Sequence, residues 1–201
     1  MPSWDDDSPQ LCQNLSEVLD EIVLAAQRRD YPTVASAKHW HSLFMKKLSV
    51  PDARFVGAFR GEPGLEKTQV RVGLRYGVDA AKVAEELIDF ERKLHALIRE
   101  LDAMLLAGQN PDADQLAAVV DLCAWVHAEW VRIHPFANGN GRVARLWANC
   151  IAMRYGIPPF IRLRPRPNDG YAHAGARAMQ GDWKPTAVVF RGLLDSFFEG
   201  I

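Results

Sequence analysis

The most constraining stretch of this chain is His134-Pro-Phe-Ala-Asn-Gly-Asn-Gly-Arg-Val-Ala-Arg145, where an imidazole, a Gly-Asn-Gly turn and two arginines lie close together. Leu116, Val119, Cys123, Val126, Trp130 and Ile133 mark one helical face leading up to it, and a second apolar-periodic segment runs from Val143 to about Tyr155. Helical periodicity on both sides of glycines predicts a helix–loop–helix junction. The glycines fall where the second helix starts. The first turn of a helix carries free N–H groups at the positive end of its dipole, and glycine lets an anion approach them closely. Arg142 and Arg145 are spaced to project from one side of that turn, and a guanidinium fork matches phosphate oxygens. His134 sits just before the loop, with a pKa suited to accepting a proton near neutrality. Asn138 and Asn140 add polar groups inside it. These parts predict a polyphosphate held by loop and helix, with a histidine that activates an incoming hydroxyl. A glycine loop with solvated arginines and a core histidine is the plain alternative. The coincidence of every part that phosphoryl transfer needs weighs against it.

The remaining chain predicts helices around this junction. Leu11, Leu15, Val18, Leu19, Ile22 and Val23 form a stripe over Leu11 to Arg29, which Tyr31-Pro32 breaks. A second helix, Thr33 to Leu48, turns Trp40, Leu43, Phe44 and Leu48 inward, and its His39 and His41 point to different faces, which argues against a shared metal. Residues 51–79 are rich in glycine, and Arg54 to Arg60 and Thr68 to Gly73 read as a hairpin or two irregular strands. Arg60, Arg71 and Arg75, taken singly, read as solvated charges. Asp79 caps a long core helix carrying Val83, Leu87, Phe90, Leu94, Leu97, Leu101 and Leu105, and Asp112 with Gln115 makes a capping box for the helix that delivers His134. Cys123 and His127 have the spacing of a zinc pair and His127 could share a face with His134, but no further ligands follow, so both read as core. Ile157 to Pro167 reads as extended, Asn168-Asp169-Gly170 as a turn or cap before a Tyr171–Gln180 helix, and Thr186 to Phe198 as the last helix.

At 201 residues the chain fits one domain with a substantial core. A formal net charge of -1 offers nothing to nucleic acid or an anionic membrane. Three cysteines and an acidic start, Asp5-Asp6-Asp7, point to reduced thiols in a cytoplasm. Asp121, His127 and Glu129 interrupt the most apolar stretch, Leu116 to Val131, which makes it a buried helix and not a membrane span.

The motif His134-Pro-Phe-x-x-Gly-Asn-Gly-Arg-x-x-Arg145 resembles the signature of Fic-domain proteins, and the resemblance extends over roughly residues 35 to 195. It implies an all-α, Fic-like helical bundle with a small β-hairpin flap, residues 35–201 forming the Fic domain and 1–34 an N-terminal helical extension. It also implies transfer of AMP from ATP to a Ser, Thr or Tyr hydroxyl of a target protein. In that reading His134 is the general base, the backbone of Gly139 and Gly141 with the Asn140 side chain cradles the α-phosphate, Arg142 holds the outer phosphates and Arg145 meets the γ-phosphate. Gly57-Ala58-Phe59-Arg60 followed by Val70, Arg71, Val72 and Gly73 resembles the flap that takes a target peptide by strand addition, which leaves Arg60, Arg71 and Arg75 open as flap contacts, and Tyr171 falls where relatives line the adenine side of the pocket. Asn138 departs from the pattern, since the family usually places there an Asp or Glu that ligates Mg²⁺. A neutral carbonyl oxygen suits a hard cation less well, so weaker binding of Mg²⁺ or Mn²⁺ is expected. The inhibitory helix of many relatives finds no clean match, because Ser196-Phe-Phe-Glu-Gly200 is one residue short. The expectation is an uninhibited enzyme or one restrained by a separate antitoxin-like protein. Transfer of phosphate, UMP or phosphocholine, and a binding module without catalysis, stay open as alternatives.

Overall fold

In the computed structural model, which describes residues 1–168 and 170–200, the apolar stripes become seven α-helices. α1 (Pro9–Gln27) starts at Ser8, whose hydroxyl accepts from the Leu11 N–H, with Pro9 where no helical N–H is needed. α2 (Val34–Phe44) opens on a capping box between Thr33 and Ser36. It ends short of the expected Leu48, because the chain turns at Met45 and takes a positive φ at Lys47. Asp79 does not cap the long helix directly: its carboxylate accepts from the Ala81 N–H and caps a 3₁₀ turn, Ala80–Lys82, and α3 (Val83–Met104) continues from that turn with no side-chain cap of its own. α4 (Ala113–Ile133) opens on the Asp112–Gln115 box with both of its hydrogen bonds made. α5 (Asn140–Arg154), α6 (Tyr171–Ala178) and α7 (Lys184–Glu199) complete the set. Asp169, in the expected turn before α6, lies outside the described residues.

α4 is the central helix. α3, α5, α6 and α7 all pack on it, and α1 joins the body by packing on α5 and α2. Leu11, Leu15, Val18 and Ile22 of α1 are buried in the same core as Trp130 of α4 and Trp147 of α5. At the centre, the rings of Phe90, Trp130 and Trp147 meet in tilted and edge-on pairs at 5.4–5.6 Å, and Phe136 extends the cluster to the end of α4. This cluster anchors both helices that flank the glycine loop. Among the described residues, no helix is long and apolar enough to cross a membrane.

Residues 51–79 hold less strand than their composition suggests. β1 (Arg71–Val72) and β2 (Arg75–Tyr76) pair antiparallel, Arg71 opposite Tyr76 and Val72 opposite Arg75. The expected strand from Arg54 to Arg60 is instead a 3₁₀ turn, Ala53–Phe55, followed by a loop. The Asp52 carboxylate accepts from the Arg54 N–H and grips the Arg54 guanidinium, a local bond that competes with a strand ladder. A two-stranded hairpin is marginal alone. This one is tied to the end of α4, where the Val78 N–H donates to the Ile133 carbonyl at 3.3 Å.

Candidate active site

The end of α4 places the titratable group. His134 is the helix's C-terminal cap, in the left-handed conformation at φ 55° and ψ 54°, unusual for a residue with a side chain. Its Nδ1 lies 3.0 Å from the Val131 carbonyl. A carbonyl only accepts, so Nδ1 carries the proton and Nε2 keeps its lone pair. Burial pulls the His134 pKa below the ordinary imidazole value; the Val131 bond raises it in part and the Arg60 charge lowers it further. The ring is therefore neutral near pH 7 and ready to accept a proton.

The loop after it places the donors. Gly139 caps α5 at φ 79°, where a Cβ would come within 3.0 Å of Phe44 Cζ and 3.2 Å of His41 Nε2. This is a position for glycine on both backbone and packing grounds. The N–H groups of Asn140 and Gly141 take no acceptor among the described residues. They open α5 at the His134 end of the loop, unpaired donors at the positive end of the helix dipole, which is the geometry an anion site needs. A cavity of about 760 Å³ lies over this point, lined by His134, Gly141 and Arg145, by Val72, Gly73, Leu74 and Arg75 of the flap, by His127 and Val131 of α4, by Arg166, and by Tyr171, Ala172, Gly175, Ala176 and Met179 around α6.

Several predicted site residues also make contacts within the chain that residue order does not reveal. Arg142 and Arg145 diverge. Arg145 donates to the Leu163 carbonyl at 3.0 and 3.2 Å and to the Tyr171 hydroxyl at 3.1 Å, at the wall of the cavity. Arg142 turns the other way, donating to the Trp4 carbonyl at 2.6 Å and to Asn138 Oδ1 at 3.1 Å, with the Asp5 carboxylate 3.9 Å off. Burial pushes the Arg142 guanidinium down to about 10, with Arg164 adding to the fall. Asn140, expected on the α-phosphate, clamps the loop itself: its Oδ1 accepts from the Phe136 N–H at 2.9 Å and its Nδ2 donates to the Phe136 carbonyl at 2.8 Å. Tyr171 lines the cavity, but its hydroxyl is taken by Arg145 and by His127 Nε2 at 2.6 Å. Val70 accepts from the Gly77 N–H at 3.1 Å, and Arg71, Val72 and Gly73 form the exposed hairpin with Leu74 at its tip.

The expected metal ligand does not fit a cation in this arrangement. Asn138 Oδ1 accepts from the Gly139 N–H and Arg142, and its Nδ2 donates to both Asp5 oxygens at 2.9 and 3.1 Å. Among the described residues no group of three or more His, Cys, Asp or Glu is placed to hold a metal ion.

Three residues of the site escaped the sequence reading. His41 is buried, stacked on Phe136 at 4.0 Å, and burial pushes its pKa down to about 3. Its Nδ1 accepts from the Gly57 N–H at 3.0 Å, so its Nε2 donates to the Asn138 carbonyl at 3.1 Å and holds the loop from below. His127, placed in the core by its pattern, also reaches the cavity wall, and burial again pushes it down to about 3. Its seven-residue spacing from His134 was the available signal. Arg60, taken as solvated, is 1% exposed. Its place at the end of the Gly57–Arg60 stretch that resembles the flap is the signal the sequence carries.

Residues 31–152 match the Fic/DOC family. Over 66 residues the chain is 41% identical to "Protein adenylyltransferase Fic" of Drosophila persimilis, covering 33% of this chain and 13% of the fly protein. Over 67 residues it is 45% identical to the protein of the same name in Nematostella vectensis, covering 33% of this chain and 15% of that one. The matched part is thus a small share of those relatives' length. A solved structure described as a Fic domain containing signaling protein from Bacteroides thetaiotaomicron shares the fold, with a TM-score of 0.63 over 93% of this chain and 69% of that chain at 19% identity.

Proposed function

The chain belongs to the Fic/DOC family, and we propose that it transfers AMP from ATP to a Ser, Thr or Tyr hydroxyl of a target protein. The observation that carries the reading is the single cavity shared by the neutral His134 imidazole, the start of α5, Arg145 and the flap edge. A target segment laid along the flap presents its hydroxyl to His134. Nε2 takes the hydroxyl proton as the oxygen attacks the α-phosphorus, and pyrophosphate leaves with the electron pair of the broken P–O bond. The N–H groups of Asn140 and Gly141 receive the charge that gathers on the phosphoryl oxygens, and Arg145 faces the outer phosphates. The apolar wall of Val131, Ala172, Ala176 and Met179 suits the adenine ring. Mg²⁺ or Mn²⁺ enters this reading only as the companion of ATP phosphates, since the residues around Asn138 offer it no site of their own. The enzyme is in this reading either uninhibited or restrained by a separate antitoxin-like protein.

The test is transfer to lysate protein from ATP labelled at the α- or the γ-phosphate, with His134→Ala as control. Label from the α-phosphate alone, lost in the variant, is the expected result. Label from the γ-phosphate alone replaces AMP transfer with phosphate transfer. No label from either, with ATP still bound, leaves a nucleotide-binding module.

A further inference from the structure

Arg60 is buried to 1% exposure, and among the described residues no carboxylate lies within ion-pair distance of it. Burial lowers its pKa, and the more distant Asp79 offsets this only in part. A guanidinium without an acid partner is costly to bury. It is tolerated here because four main-chain carbonyls receive it. Nε donates to the His134 carbonyl at 2.8 Å, one Nη to the Ile133 and Val78 carbonyls at 3.0 and 2.7 Å, and the other Nη to the Thr68 carbonyl at 3.3 Å. Its own N–H donates to the Pro135 carbonyl at 2.7 Å.

These acceptors belong to three separate pieces of chain. Ile133 and His134 end α4, whose last carbonyls lack partners within the helix and carry the negative end of the dipole, a favourable place for a cation. Thr68 and Val78 stand on the two stems that flank the hairpin. Gly77, on the second stem, lies so close that a Cβ there would come within 2.7 Å of His134 Cβ and 3.0 Å of an Arg60 Nη. A side chain that only filled space would not need this set of partners. An alkyl stem could fill the volume, but the planar fork is what reaches several oxygens at once.

We propose that Arg60 is a positioning residue that clamps the flap to the base, its one guanidinium fixing the left-handed backbone of His134 and both flap stems so that imidazole and target strand keep one spacing. The clamp deepens the transferase reading and rests on it for what the spacing is used for, but not for the clamp itself. A hydroxyl displaced by a fraction of an ångström from its base loses rate without losing nucleotide. Removal of Arg60 therefore acts on turnover and leaves the anion site on α5 alone.

The experiment uses the full chain with Arg60→Lys and Arg60→Ala and follows three readouts: the imidazole nitrogen signals of His134 by NMR, amide exchange in residues 68–78 against α3, and transfer kinetics. Flap exchange is expected to rise about tenfold with α3 unchanged, and the Nδ1 proton signal of His134 to move. kcat is expected to fall about tenfold or more at an unchanged KM for ATP. Ethylguanidinium should restore part of the kcat of Arg60→Ala, and ethylamine should not. Wild-type exchange and His134 signals in both variants overturn the proposal. So does exchange that rises equally in the flap and α3 without rescue, which makes Arg60 an ordinary core residue. If the wild type transfers no label, the NMR and exchange results still decide the clamp, and only the functional reading falls.

Discussion

On one face of the Gly139–Gly141 loop, Arg145 stands at the wall of an open cavity beside His134 and the flap; on the other, Arg142 is covered by Trp4 and Asp5. The covering segment is well held. The Trp4 ring stacks on Phe55 at 5.9 Å, the Trp4 N–H donates to the Ser49 carbonyl, and Arg164 donates to the Asp5 carbonyl and forms an ion pair with the Asp7 carboxylate, each at 2.9 Å. Two arginines of one motif thus meet different partners. Arg145 is held by neutral groups that an incoming phosphate can outbid, whereas Arg142 already has an anion of the chain's own beside it. The face a guanidinium serves is set by what the rest of the chain brings to it.

The sharpest way to break this contrast lies on the open face. His134→Ala is expected to lower transfer by about a hundredfold or more while ATP binding, read by calorimetry, stays near the wild-type value. Because burial holds the His134 pKa below the ordinary 6.5, the acidic limb of the kcat/KM profile should fall below that value. A limb at or above it would show that another group titrates. Next in size is acid stability, to which each face contributes one buried ring. His41 and His127 have folded pKa values of about 3, below the unfolded 6.5. Below pH 6.5 the unfolded chain binds protons that the folded chain refuses, so stability falls with pH between 6.5 and 3, by up to about 1.4 kcal/mol per pH unit for each ring. His41→Gln and His127→Gln should each flatten the slope of urea-unfolding free energy against pH, and parallel slopes would place the acid sensitivity elsewhere.

The two arginines can be compared directly by tripolyphosphate binding. Arg145→Ala should weaken affinity about tenfold and Arg142→Ala much less, for an interaction of one charge-assisted bond set. Asp5→Ala should strengthen binding a few-fold, and only when Arg142 is intact, which a double-mutant cycle reads. Equal losses from both arginines would mean that the Trp4–Asp7 segment does not compete. The smallest effect concerns the loop that separates the faces. Gly139→Ala is expected to cost about 1–2 kcal/mol, from a positive φ and the contact with Phe44 and His41, measured as a lower denaturation midpoint.

Most of the helical body could be read from residue order. The apolar stripes, the Asp112–Gln115 box and the glycines at the start of α5 each act within a turn or two of chain and appear close to where they are expected, while Asp79 caps the 3₁₀ turn before α3 and not α3 itself. His134 and the free N–H groups beside it were legible for the same reason, because a helix end and its dipole are local properties. The strand expected from Arg54 to Arg60 failed because β-propensity is realised only through a partner, and Asp52 offered the backbone a nearer bond. What residue order left open is which polar side chains meet which partners across long separations. Arg60 reaches carbonyls of α4, His41 holds the Asn138 carbonyl, Asp5 crosses to Asn138 and Arg142, and His127 meets Tyr171. An arginine or histidine has the same local pattern in water as under a flap. Its burial, its protonation and its partner follow from the packing of distant segments against it, and so they become visible only in the folded chain.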